Sequence, residues 1–235
     1  MWRDPFRQLN KKDWCLLVFS LAVVMVCNLL TPTAALTTKI AVVVGAIALV
    51  FMAKGDVWGQ ILTVVFSILY GITSWQFRYY GEMITYLGMT LPMAVAAVVS
   101  WLRHPFEGNT AQVEIHRLTC RQQWGMVLCC IPVTAVFGVI LWWLDTPNLL
   151  FSILSVTTSF LAAYLTYFRS TYYALAYAAN DVVLIILWVL ASVKDVSFTP
   201  MIACFLVFLV NDLYAFSSWN NRETEQHTYT HKKRK

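Results

Sequence analysis

Two Asn-Asp dipeptides, Asn180-Asp181 and Asn211-Asp212, sit in the middle of long apolar runs. Carboxylates and amides in such a setting suit the binding of a cation or a polar ring. Their cost is high, since a charged side chain at the centre of a membrane span is unfavourable by about 2.5–3.5 kcal/mol even on insertion scales. Helical spacing extends each dipeptide into a stripe. Tyr177, Asp181 and Trp188 fall at i, i+4 and i+11 on one face, and Asn211, Tyr214 and Ser218 at i, i+3 and i+7 on another. An earlier run carries Thr63, Ser67, Tyr70 and Ser74 at i, i+4, i+7 and i+11. Interhelical hydrogen bonds average only about 0.6 kcal/mol. Packing alone is therefore a weak reason to retain two midplane carboxylates, and a substrate or ion role is the better reading. Single hydroxyls such as Thr63 and Ser67 are instead read as bonding their own i−4 carbonyls.

The residue types constrain the ligand. Carboxylates, amides and aromatic rings favour a cation or a polar aromatic ring through Coulomb attraction, cation–π contact and stacking. A phosphate would call for Arg or Lys at depth, and only Lys39 lies within an apolar run, near the end from which it can snorkel. Pro92 and Pro132 interrupt two runs and are expected to kink them. No nucleophile–base constellation occurs within the runs, so neither catalysis nor a cofactor is expected. His104, His116, His227 and His231 lie in polar segments with poor metal-site spacing. The six cysteines lack zinc-ligand spacing and are read as small apolar packing residues.

These side chains need an all-α polytopic membrane protein to position them. Of 235 residues, 59% are hydrophobic and 12% charged, against about 25% charged in soluble domains. Runs long enough to cross a bilayer lie near 13–30, 35–53, 57–79, 82–101, 123–144, 148–168, 171–193 and 199–220. Eight spans leave no room for a soluble domain. With the N-terminus cytoplasmic, all but three of the 17 basic residues fall on the inner side; Arg78 and Lys194 fall outside and Lys39 within the second span. This bias predicts cytoplasmic N- and C-termini in the inner (plasma) membrane. The first run, followed by Ala34-Ala35, has some signal-peptide character but is read as a span on its length. Trp58, Trp75, Trp101, Trp124, Trp142, Trp143 and Trp219 are read as an interfacial belt, and the basic tail as a solvated flank with no nucleic-acid role.

A shift of 118 residues aligns Ser100-Trp101 with Ser218-Trp219, Ser74 with Ser192, and Ile68-Leu69 with Ile186-Leu187. It sets Thr63 opposite Asp181 and Tyr70 opposite Trp188. The expected organisation is an N-terminal segment with an accessory helix (1–34) and a first three-helix repeat (35–101). A loop and linker helix (102–147), a second repeat parallel to the first (148–220) and a basic tail (221–235) follow. Both Asn-Asp pairs fall in the second copy, which predicts a lopsided site.

Several motifs resemble the Pnu vitamin-transporter family: Lys54-Gly55, Tyr80-Gly81-Glu82-Met83, Thr90-Leu91-Pro92-Met93, Asn180-Asp181 with Trp188, and Asn211-Asp212-Leu213-Tyr214 through Trp219. The resemblance runs from about Lys39 to Trp219. It implies a 3+1+3 fold similar to the SWEET sugar transporters and a homotrimer. It also implies uptake of nicotinamide riboside by facilitated diffusion, with trapping by a cytosolic kinase. Carried onto this chain, it implies recognition by Trp188, Asn180, Asn211 and Tyr214, with Tyr70 from the first repeat. Together with the carboxylate face, the candidate site is Trp188, Asn180, Asp181, Asn211, Asp212, Tyr214, Tyr70 and Tyr177. Where many members have a Gly-Leu-Ile-Asn-like stretch, this chain reads Leu62-Thr63-Val64-Val65. Thiamine or another vitamin of the same fold class is the alternative cargo, and a ligand-sensing receptor or scaffold subunit the alternative class.

Overall fold

A computed structural model describes residues 5–30, 36–76, 80–194 and 199–233. Arg3, Ala34, Ala35, Arg78, Arg234 and Lys235 lie outside the described residues. The spans are α1 (Lys11–Leu30), α2 (Leu36–Ala53), α3 (Val57–Gln76), a composite fourth span, α6 (Cys120–Trp143), α7 (Leu149–Tyr167), α8 (Tyr173–Lys194) and α9 (Thr199–Lys233). The fourth span joins α4 (Tyr80–Thr85), a π-helical turn (Tyr86–Thr90) and α5 (Leu91–Arg103). Among the described residues, eight helices are long and apolar enough to cross a membrane.

The π turn has a local cause. Pro92 cannot donate a backbone hydrogen bond, and its ring crowds the carbonyl four residues earlier. The chain widens instead, and the Leu91 N–H bonds the Tyr86 carbonyl five residues back. Pro132, in contrast, sits inside an uninterrupted α6. That helix is the most peripheral, with Leu141 its one buried residue.

Two turns at the basic end of the bundle close in the same way. Gly55 (φ 67°) ends α2, with its N–H on Met52 O at 2.9 Å and the Asp56 N–H on Phe51 O at 3.1 Å. Arg169 (φ 58°) ends α7, with its N–H on Thr166 O at 3.0 Å and the Ser170 N–H on Leu165 O at 2.9 Å. Each is a left-handed C-terminal cap that satisfies orphan carbonyls. Asp56 then starts α3, its Oδ1 accepting from the Trp58 N–H, and Ser170 Oγ accepts the Tyr172 N–H in the turn just before α8. Gly59 permits the tight α2–α3 approach, because a Cβ there would lie 2.5 Å from the Met52 nitrogen.

Trp101 and Trp219 depart from the interfacial reading: they are 2% and 0% exposed. Trp101 Nε1 donates to Thr166 O at 2.9 Å and Ser100 Oγ to Tyr167 O at 2.8 Å. Reciprocally, Trp219 Nε1 donates to Met52 O at 2.8 Å and Ser218 Oγ to Ala53 O at 2.9 Å. The two indoles meet at 5.6 Å between ring centroids. Burial of an indole is compatible with its N–H only when a partner is supplied, and here the last carbonyls of α7 and α2 supply it. Trp75, Trp124, Trp142 and Trp143 remain exposed.

The first helix is more than an accessory. Asp13, fully buried, accepts from Lys54 Nζ and Tyr214 Oη, each at 2.6 Å, and Ser20 Oγ accepts from Asn211 Nδ2 at 2.9 Å. These contacts bind α1 to α2 and α9. The tail is likewise ordered. Helix α9 runs to Lys233 and docks on an antiparallel hairpin, β1 (Pro105–Phe106) and β2 (Asn109–Val113). Gln226 Nε2 donates to Val113 O, its Oε1 accepts the Ile115 N–H, and Phe106 packs edge-on against Tyr229. Of the six cysteines, only Cys204 is buried; Cys15, Cys120 and Cys129 are exposed.

Candidate functional site

A cavity opens at mid-bundle among α2, α3, the π turn, α7, α8 and α9. Its wall is largely apolar and aromatic: Gly45, Ala48, Leu49 and Met52 from α2, Phe66 from α3, Tyr86 from the π turn, and Phe205 and Phe208 from α9. Polar groups enter from Thr63, Thr90 and Ser159, and most densely from Tyr177, Asn180, Asp181 and Asp212. As a water molecule would fill it, the cavity holds about 70 Å³, room for a few waters. Admission of a larger ligand requires helices or side chains to move.

Asn180 Oδ1 accepts from Thr158 Oγ1 at 2.8 Å, Ser159 Oγ at 3.0 Å and Ser155 Oγ at 3.4 Å. Its carbonyl is thus committed to α7, and its amide NH₂ is what it has left for a ligand. Asp181 and Asp212 stand within hydrogen-bonding reach of one another, one on α8 and one on α9. Asp181 Oδ2 is enclosed and accepts no hydrogen bond. Thr63 and Ser67 do bond their i−4 carbonyls, Gly59 O and Thr63 O, at 2.9 and 2.8 Å.

Of the eight residues singled out in the sequence, Tyr177, Asn180, Asp181 and Asp212 meet on this wall. The other four lie elsewhere, for three separate reasons. Successive helical residues point about 100° apart, so Asn211 and Asp212 cannot both face the cavity. Asp212 does; Asn211 and Tyr214 face α1, bonded to Ser20 and Asp13. Trp188 keeps the face of Asp181 but stands seven residues further along α8, about 10 Å higher, in an apolar core with Leu184 and Leu187. Tyr70 backs the wall, with its ring 4.2 Å from Tyr86 and 5.5 Å from Phe66.

Further aromatic residues of the cavity wall fall at helical spacing with Asp212 or shortly before Pro92. Phe205, Phe208 and Asp212 lie at i, i+3 and i+7, the stripe of α9 that faces the cavity. Tyr86 and Thr90 precede Pro92 and are re-aimed by the π turn. Glu82, one turn before Tyr86, is buried, with Oε2 lacking a hydrogen bond.

A family model described as nicotinamide mononucleotide transporter matches residues 35–221. The chain belongs to that family. A relative in Neisseria mucosa, the nicotinamide riboside transporter PnuC, is 26% identical over 185 residues, covering 77% of this chain and 70% of that protein. The fold is similar to that of the crystal structure of the vitamin B3 transporter PnuC, with a TM-score of 0.80 and 23% identity. That match covers 93% of this chain and 94% of the other. The chain is therefore a multi-pass membrane protein of the nicotinamide mononucleotide transporter family with the PnuC fold. The matched range begins at 35, so α1, which binds both α2 and α9 here, lies outside it.

Proposed function

We propose that this chain carries nicotinamide riboside across the plasma membrane by facilitated diffusion, with cytosolic phosphorylation retaining the product. The observation that carries this reading is the cavity wall itself. Among the described residues it presents two carboxyls, an amide and five aromatic rings, and no Lys or Arg. A pyridinium cation suits such a wall through charge and cation–π attraction. A mononucleotide would bring its phosphate into the same acidic cavity with no guanidinium or ammonium to meet it. The mononucleotide for which the family is described is therefore the poorer fit, and the riboside carried by the Neisseria relative the better one. Thiamine, also an aromatic cation, is the second reading, favoured by the same rings.

The wider reading places both termini in the cytoplasm, as the charge distribution implies, and assembles three copies, for which the exposed α6 is available. It also divides the bundle into two parallel three-helix units, α2 to α5 and α7 to α9, with α6 between. Supporting this are the reciprocal Ser-Trp pairs and the two like turns. The turns relate Gly55 to Arg169 and Asp56 to Ser170, 114 positions apart, whereas the tryptophans are 118 apart. In that register Thr63 pairs with Tyr177 and Ser67 with Asp181, a four-residue insertion entering before the last helix. The single 118 shift then holds only for the last helix of each unit.

Counterflow in proteoliposomes tests the function. Saturable exchange of nicotinamide riboside is expected, with nicotinamide mononucleotide failing to compete. Binding without exchange would point to a receptor, and preferential thiamine exchange to the second reading.

A further inference from the structure

The next step rests on the nicotinamide riboside reading and concerns how Asp181 and Asp212 divide their work. Neither forms an ion pair among the described residues; the pairs there are Asp13–Lys54, Arg117–Glu223 and Lys233–Glu107. The titratable groups that face the carboxyls are Tyr173 and Tyr177 on α8, Tyr86 on the fourth span, with Glu82 beside Tyr86, and Cys204 on α9. The cavity-facing residues of α2, α3 and α7 do not titrate. Two carboxyls at hydrogen-bonding distance with no cation between them cannot both ionise, so they share a proton.

The environment of the oxygens decides where that proton resides. Asp181 is 4% exposed, and its Oδ2 is enclosed without a donor. Such an oxygen is tolerated more readily as the carbonyl of a neutral acid than as half of a carboxylate, which needs donors on both oxygens. We propose that Asp181 is a neutral acid donating to Asp212, and that Asp212 presents one negative charge to the fixed positive charge of the substrate ring. One acid, one carboxylate and one monovalent cation make a neutral assembly, which a cavity cut off from water requires. A neutral ring would leave the Asp212 charge buried and unmatched. Asp181 is thus a positioning residue and Asp212 the determinant of charge specificity.

Titration calorimetry on the full chain in detergent tests this, with two probes: nicotinamide riboside, and its dihydro form, which has the same ribose and an uncharged ring. Wild type should prefer the cation by on the order of tenfold or more. Asp181→Asn, whose amide copies the shape of a protonated acid, should keep that preference, whereas Asp212→Asn should abolish it. Affinity of wild type for the cation should fall toward acid pH as Asp212 takes a proton. A preference that survives Asp212→Asn, equal losses in the two variants, or binding that stays flat into the acid range overturns the assignment. Infrared spectra of the ligand-free protein give a readout independent of the substrate. The difference spectrum between wild type and Asp181→Asn should show the loss of one protonated-carboxyl band, since the buried Glu82 and Asp56 contribute equally to both; a difference spectrum without that loss overturns the proposal. If wild type binds neither probe, the substrate reading fails and the infrared band alone decides the pair.

Discussion

Asn211 and Asp212 are neighbours in sequence with separate duties, and substitution should separate them. Tyr214→Phe removes a hydrogen bond to the buried Asp13 carboxylate, a class of contact worth about 1.5–3 kcal/mol. Asn211→Ala removes the bond to Ser20. Both variants should denature at lower temperature while binding nicotinamide riboside with unchanged affinity; a selective loss of affinity at intact stability would return them to the binding wall. Asp56, in the turn between α2 and α3, has a different signature. Burial pushes its carboxyl above the usual carboxylate range, against the opposing pull of the Trp58 N–H and Arg222. The ionised form is therefore the disfavoured one in the fold. Its contribution to stability is full below the ordinary value and is lost as pH rises through the higher folded value. Asp56→Asn keeps an oxygen to cap α3 and cannot ionise. Its melting point should match wild type in acid and exceed it near neutrality. The sequence made the α8 half of the site legible because Tyr177, Asn180 and Asp181 fall on adjoining positions of one helix wall. On α9 a dipeptide does not say which of its members turns toward the cavity; the Phe205-Phe208-Asp212 stripe does, and by type it reads like ordinary core.

Elements were legible where length and hydropathy alone decide. Eight spans follow from eight apolar runs, and apart from α9, which runs on to Lys233, their ends shift by only a few residues. What escaped were features set by partners distant in the chain. Nothing in the polar stretch after Trp219 shows that Gln226 and Tyr229 will meet the hairpin and extend α9 to Lys233. Nor does an isolated first span show that Asp13 will neutralise Lys54. That pair joins α1 to the end of α2 with side chains 0% and 7% exposed. Breaking a buried pair from one side leaves a bare charge and costs about 3–5 kcal/mol, whereas replacing both partners by apolar groups is often neutral. Asp13→Asn should therefore destabilise the protein by that order in thermal denaturation. Adding Lys54→Met should recover most of the loss. Absence of recovery would mean that α1 is held by its apolar contacts rather than by the pair.

At the scale of the molecule, the Ser-Trp pairs tie the two halves together where the cavity approaches the basic end. All four bonds end on the last carbonyls of α2 or α7, groups that would otherwise turn to water. Met52 lines the cavity, and its carbonyl accepts from both Trp219 and Tyr173. If the cavity opens toward that end, α2 must part from α9 or α7 from α5, and the pairs oppose that separation. Trp219→Phe keeps the ring and deletes one donor. A net bond of about 0.5–1.5 kcal/mol corresponds to a roughly 2- to 13-fold change in the open population. A Thr63→Cys reporter on the cavity wall, in a background free of other cysteines, should react with an impermeant thiol reagent faster by that factor from the basic side. No acceleration is expected from the other side. Trp101→Phe should give an effect of similar size, because its bond to α7 is the counterpart of the bond from Trp219 to α2. Unchanged labelling in both variants, despite a measured loss of stability, would show that the tryptophans brace the bundle in every state and that the cavity opens by another route.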